Sequence, residues 1–324
     1  MASKPAEGGA LAPPDLSQWA STPERGSTRV LRIGVFVALH LGRALSLILL
    51  HPAAAYFFLF GPSIRRASRA YLRRVLDREP TARDRYRQIY YFAVTLLDRL
   101  YFLKGRHELF EVAVEGEALM LEALTGGQGA FLLGSHLGSF APLATIGRHR
   151  PDLKVAMAMY EAQAGPLNTF FSVTQAQDTP EIIPLGHLEA MLRIRDCLDA
   201  GTFVGILADR TLADAPAQSV PFLGRAAPFP VGPMRVAAAL RRPVIFMTSV
   251  YRGDNRYLAV FDRIADFSQP TPQGREAAVR EAIVRYAQLL EHYTRSDPYN
   301  WFNFYDFWQD AAAAGDDAAQ RAAP

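Results

Sequence analysis

Cysteine is nearly missing from this chain: Cys197 is the only one in 324 residues, so no intramolecular disulfide can form. That usage fits a reducing compartment, and the amphipathic stretch around Cys197 gives it a buried structural role. The seven histidines are scattered and make none of the H-x-x-x-H or cysteine-rich spacings of zinc sites, so no metal is expected. Neither G-x-x-x-x-G-K-[ST] nor G-x-G-x-x-G occurs, so no nucleotide cofactor is implied and the cofactor expectation is none. A formal net charge of +3 is too small an excess to point to nucleic acid as a partner. Internal repeats are missing too.

What is present is apolar. Half the residues are hydrophobic and 11% aromatic, enough for one large α/β domain or one domain with an added helical region. Residues 1–28, rich in Ala, Gly, Pro and Ser, and residues 310–324, nearly all "AAAAGDDAAQRAAP", are expected to be disordered. No cleavable signal peptide is expected, because the first apolar segment starts near Val30 without a usual cleavage site. The expected division is a membrane-associated helical region over 29–80 and an α/β domain over 81–309.

The run from Val30 to Phe60, "VLRIGVFVALHLGRALSLILLHPAAAYFFLF", is the most hydrophobic. A bilayer span takes about 20 apolar residues, but this run is interrupted by His40, Arg43 and His51-Pro52. A charge at the bilayer centre costs roughly 2.5–3.5 kcal/mol, so two shorter helices split at Pro52 and lying in one leaflet are expected. Six arginines follow between Arg65 and Arg78, at helical spacing with Ile64, Tyr71, Leu72 and Val75. Their heads suit lipid phosphates and, by the positive-inside rule, the cytoplasmic side. The alternative is a solvated helix face.

Beyond "YRQIYYFAVTLLDRLYF", which reads as a helix, short apolar runs alternate with helical stretches. "GAFLLGS", "KVAMAMY", "EIIPLG", "GTFVGILAD" and "PVIFMTSVYR" read as strands; "HLEAMLRIRDCLDAG" and "GPMRVAAALRR" read as helices. The pattern predicts α/β: a mixed, largely parallel sheet flanked by helices. A late hairpin turns through Gly253-Asp254-Asn255, and a last long amphipathic helix stops before Pro298. Ligands in open α/β sheets bind beyond the carboxyl ends of strands. Two residues sit there: His136 after the strand Ala130 to Leu133, and Asp209 after Phe203 to Ala208. Together they make a base with a partner. "FLGRAAPFPVGPMR" leads by a proline-rich turn into a helix beginning near Gly232-Pro233, whose free amides, near Arg225 and Arg235, suit a phosphate or carboxylate, or are an ordinary helix start.

"GSHLGSF", "GILADR", "FLGRAAPFPVGP" and "PYNWFNFYDFW", in this order and spacing, resemble the bacterial lipid A biosynthesis acyltransferase family of lauroyl and myristoyl transferases, and look closest to the branch encoded with aryl-polyene pigment and fatty-acid genes. The likeness runs from about Trp19 to Trp308. It implies a glycerol-3-phosphate acyltransferase-like fold and an enzyme on the cytoplasmic face of the bacterial inner membrane. That enzyme moves a fatty acyl group from acyl carrier protein or coenzyme A to the hydroxyl of a lipid or glycolipid. The signature H-x-x-x-x-D/E maps its histidine onto His136, the general base, with Ser135, Gly138 and Ser139 in the same motif. Asp209 and Arg210 match a region that orients the base or binds acceptor, and Gly224, Gly232 and Pro233 match a loop that shapes the substrate site.

The acid of the signature is replaced by Ala141. Losing the group that orients a catalytic histidine costs about 10⁴ in turnover in serine proteases. Three explanations stand: another acid takes over, Asp209 first and Glu161 second; the residue was changed to silence the enzyme or trap substrate; or the chain is a relative that binds lipid or carrier protein without catalysis. A thioesterase, with water as acceptor, is a further reading. The aromatics Trp301, Phe302, Phe304, Tyr305, Phe307 and Trp308 line an acyl channel, meet the lipid interface, or pack the core.

Overall fold

The computed structural model describes residues 28–148, 153–160, 180–211, 215–269 and 273–308. Residues 1–27 and 310–324 of the terminal segments expected to be disordered therefore lie outside the described residues, as does Glu161, while Thr28 already begins a helix. The apolar stretch forms α1 (Thr28–Phe60), followed by α2 (Pro62–Val75) and α3 (Ala82–Leu103). The expected split at Pro52 is corrected: helical geometry breaks at Gly42 (φ 77°, ψ 168°), and Pro52 sits inside the helix. A proline forfeits one hydrogen bond and bends a helix, whereas glycine takes a positive φ with no Cβ to clash. The sharper break falls on the glycine.

Arg43 follows directly. Its guanidinium donates to Asp98 of α3 at 2.7 and 2.9 Å, and Asp98, 1% exposed, also accepts from the Tyr257 hydroxyl at 2.7 Å. The charge that makes a simple bilayer span costly is thus neutralised against the domain. Elsewhere α1 leaves Phe36, Leu45, Ile48, Phe57 and Phe60 exposed. The 27 residues Gly34–Phe60 are long and apolar enough to cross a membrane, with little of that stretch buried against the protein.

The core is a seven-stranded sheet of β1 (Glu111–Glu115), β2 (Phe131–Gly134), β3 (Val155–Tyr160), β4 (Glu181–Leu185), β5 (Phe203–Leu207), β8 (Pro243–Tyr251) and β9 (Arg256–Asp266), in the order β1-β9-β8-β2-β5-β3-β4. β8 and β9 pair antiparallel through the expected hairpin, and all other neighbours are parallel. Helices α4 (Glu117–Thr125), α5 (Leu143–Arg148), α6 (Leu188–Asp199), α7 (Gly232–Ala239) and α8 (Arg275–Ser296) complete the mixed, mostly parallel architecture. Alternate residues of a strand face opposite sides, and here both sides are dry. Phe131 and Leu133 join one buried cluster, while Ala130 and Leu132 join another.

The proline-rich turn proves to be more than a loop. β6 (Ala217–Phe222) and β7 (Arg225–Pro230) form a separate two-stranded antiparallel hairpin, with Pro221, Pro228 and Pro230 inside its strands. Both strands of a two-stranded ribbon are edges, so a proline can turn its missing N–H outward at no cost to the ladder.

Candidate active site

β2 and β5 are parallel neighbours, with Gly134 paired to Leu207. His136 and Asp209 each lie two residues beyond that last pair, so the strand register alone brings them opposite one another. His136 Nδ1 lies 2.8 Å from Asp209 Oδ1, and the His136 backbone N–H donates to Oδ2 at 2.9 Å. Oδ2 also accepts from Trp301 Nε1 at 3.1 Å and Asn303 Nδ2 at 3.0 Å. The carboxylate is wholly buried, whereas the imidazole is 22% exposed.

Burial alone would raise the Asp209 carboxyl. The charge on His136, its two hydrogen bonds and the charge of Arg210 outweigh it, bringing the group down to about 2. An ionised carboxylate can only accept hydrogen bonds, so the proton between the two side chains belongs to Nδ1. The lone pair of the neutral ring is then on Nε2, the geometry of a base held by an acid.

The turn after β2 is shaped by its own backbone. Gly138 has φ 72°, and a Cβ there would stand 1.9 Å from the Ser249 carbonyl oxygen. Gly138 N–H donates to Asn300 O and Ser139 N–H to Ser249 O, each at 2.8 Å, while Phe302 N–H donates to His136 O, also at 2.8 Å. Residues 300–303, "NWFN", thereby run alongside the histidine turn. Asn300 grips the end of β8 from both sides, accepting from Tyr251 N–H at 2.8 Å and donating to Tyr251 O at 3.0 Å.

The family model for bacterial lipid A biosynthesis acyltransferases matches residues 31–310. The chain belongs to that family. No curated protein matches it at a significant level.

Within this acyltransferase-family chain the residues singled out by sequence fall into distinct places. Ser135 is fully buried, and its hydroxyl accepts from Leu137 N–H at 3.3 Å; the Ser139 hydroxyl accepts from Ala141 N–H at the same distance. Both shape the turn. Arg210 donates to Asn303 Oδ1 at 2.9 Å and lies over the Tyr305 ring, with its Cζ 5.2 Å from the centroid, so it is tied into the segment that holds Asp209. Gly224 and Arg225 occupy the tip of the β6–β7 hairpin, whereas Gly232 and Pro233 open α7 at the far end of β7. Arg235 pairs with Glu276 at 3.1 Å. The structure therefore does not bring Arg225 and Arg235 to one helix start.

Ala141 packs on the cluster of Val94, Tyr101, Phe102, Phe110, Tyr251 and Tyr257. Its surroundings are apolar, and the Nδ1 position that an orienting acid would occupy is already taken by Asp209. Ala141→Glu is expected to leave acyl transfer no faster than in the parent, and to cost about 1–3 kcal/mol of stability for putting a carboxylate against that cluster. Urea unfolding of the two proteins and their transfer rates would check this; a gain in rate would contradict it.

Of the C-terminal aromatics, Trp301, Phe302, Phe307 and Trp308 are buried, so core packing is their main role. Asn303 is the residue sequence reasoning passed over. The signal was a pair of amides, Asn300 and Asn303, inside an otherwise apolar run. Buried amides need partners, and theirs are Tyr251 and Asp209.

Proposed function

We propose that the protein is a membrane-associated O-acyltransferase that moves a fatty acyl group from a thioester donor to a lipid or glycolipid hydroxyl, with His136 as base and Asp209 as the acid that holds it. The observation that carries this is the 2.8 Å contact between His136 Nδ1 and Asp209 Oδ1 at adjacent strand ends in a chain of this family. Nε2 removes the proton of the acceptor hydroxyl as its oxygen attacks the thioester carbonyl. The imidazolium so formed is held by the Asp209 carboxylate. Collapse of the tetrahedral intermediate breaks the C–S bond, and the Nε2 proton passes to the departing thiolate. Asp209 in this reading replaces the acid that Ala141 cannot supply.

The donor proposed is acyl-acyl carrier protein or acyl-coenzyme A, and the site of action the cytoplasmic face of the inner membrane. The test is incubation of the purified protein with radiolabelled acyl-acyl carrier protein, with and without membrane lipid extract. Label in the lipid fraction supports transfer. Label released as free fatty acid regardless of lipid identifies a thioesterase, and no turnover with retained donor binding leaves a binding protein.

Membrane association is proposed to run through the exposed apolar side chains of α1. Leu45→Asp with Ile48→Asp alters two residues that are 43% and 63% exposed, so the fold is expected to survive. Each buried charge costs roughly 2.5–3.5 kcal/mol, which is expected to shift most of the protein from pellet to supernatant in vesicle sedimentation. Undiminished pelleting would assign the contact to another surface.

A further inference from the structure

A concave feature lined by none of the His136–Asp209 residues lies beside Trp308, which packs on Phe222 and Trp301. It is an open cleft of about 550 Å³. Arg73 and Arg74 of α2, Arg225 of the hairpin tip and Arg295 of α8 line it, with Asp77 as its one carboxylate. Four guanidinium groups converging from three elements repel one another, and Asp77, Glu291 and Asp306 relieve this only in part. Arg295 pairs with Glu291 at 2.8 Å, but Arg73, Arg74 and Arg225 form no ion pair among the described residues. Arg74 lies 4.5 Å from the Trp308 ring centroid and donates to its own helix at Ala70 O. Burial and then the charge of Arg225, with Arg73 adding, pull it down from its ordinary range against the smaller effect of Asp306.

The cleft is also held in shape. Leu223, at the hairpin tip, has φ 49°, a left-handed conformation that costs a non-glycine residue roughly 1–2 kcal/mol. It is fixed there by Glu291, whose Oε2 accepts from the Leu223 N–H at 2.7 Å while Oε1 takes Arg295. One carboxylate thus ties the turn that presents Arg225 to the helix that presents Arg295. Leu223 and Gly224 (φ 79°) are the two loop residues between β6 and β7, and a tight two-residue hairpin takes a positive φ at both, so the hairpin sets this turn and Glu291 fastens it to α8.

We propose that this cleft binds a phosphate group. Guanidinium forks match phosphate oxygens in pairs, and a bound dianion would relieve the repulsion among the four arginines. The ligand is either a soluble phosphate or the phosphate of a lipid headgroup, and binding can be read without any acyl transfer.

The full-length protein in neutral detergent would be titrated calorimetrically with pyrophosphate and, separately, with monomeric dihexanoyl-phosphatidic acid. Saturable binding is expected for at least one probe, weakened roughly tenfold or more in Arg73→Gln/Arg225→Gln and by added salt. Both substituted residues are exposed, so folding is expected to be kept. Arg252→Gln, which lies outside the cleft and loses a surface pair with Asp297, is expected to bind as the parent does. Pyrophosphate alone would assign a soluble ligand, phosphatidic acid alone a lipid headgroup, and either supports the site. Absence of saturation by both, or equal affinity in parent and double variant, overturns it.

Discussion

Asp209→Asn is expected to lower kcat for acyl transfer by about 10³–10⁴ with little change in KM, by analogy with the loss seen when a buried orienting aspartate becomes an amide. The reason is local. Asp209 Oδ1 fixes the proton on His136 Nδ1, and an asparagine can present its NH₂ there instead, favouring the tautomer whose Nε2 carries the proton and cannot act as base. The backbone bond from His136 and the contacts with Trp301 and Asn303 keep the side chain in place, so the defect falls on turnover rather than binding. His136→Ala is expected to lose at least as much. Single-turnover rates on both variants would check this; an Asn variant within about tenfold of the parent would remove Asp209 from the mechanism.

The same residue predicts an acid-side signature. Its carboxyl is depressed from an ordinary 3.8 to about 2 in the fold. A depressed acid contributes stability that is present above the unfolded value and is lost as pH falls through the folded one. The contribution, about 2 kcal/mol, is therefore expected to disappear between roughly pH 4 and pH 2. The stability gap between parent and Asp209→Asn closes over that window.

Gly138→Ala is the second large effect, and it acts on the fold. The added methyl meets the Ser249 carbonyl oxygen at 1.9 Å, and that atom is backbone of the central β8, which also accepts the Ser139 N–H. Neither neighbour is a flexible side-chain end that can swing away, and φ 72° is unfavourable for alanine in any case. A loss of about 4 kcal/mol is expected, roughly 10 °C in the melting temperature. A melting temperature within about 2 °C of the parent would mean the turn relaxes cheaply.

Much of the core was legible because its strands are short apolar runs with helical stretches between them. His136 and Asp209 were legible by the same means, each at the end of such a run. Their direct contact was not, because it depends on which strands are neighbours and on the register of Gly134 with Leu207, and no local pattern carries that. Asn303 reaches Asp209 across 94 residues, so its role is visible only after folding. Gly42 was hidden by the more familiar breaker, Pro52. Prolines 221, 228 and 230 argued against strands that a two-stranded ribbon tolerates. Arg73 and Arg74 read as part of a lipid-facing row, because nothing near them in sequence announces Arg225 and Arg295.

The docking of residues 300–303 over the histidine turn has a consequence for how the protein ages under heat or denaturant. Asp209 is dry only while that segment is seated, and all four of its incoming hydrogen bonds come either from the segment or from the turn that the segment clamps. Local opening of a short piece of chain takes less free energy than unfolding the sheet. Water would then reach the carboxylate, and the imidazole would lose its fixed orientation, while β2 and β5 remained paired. Competence at this centre is thus set by a hinge-like local equilibrium near the end of the domain, and amide exchange at Trp301 and Phe302 would report on it before any change in the sheet.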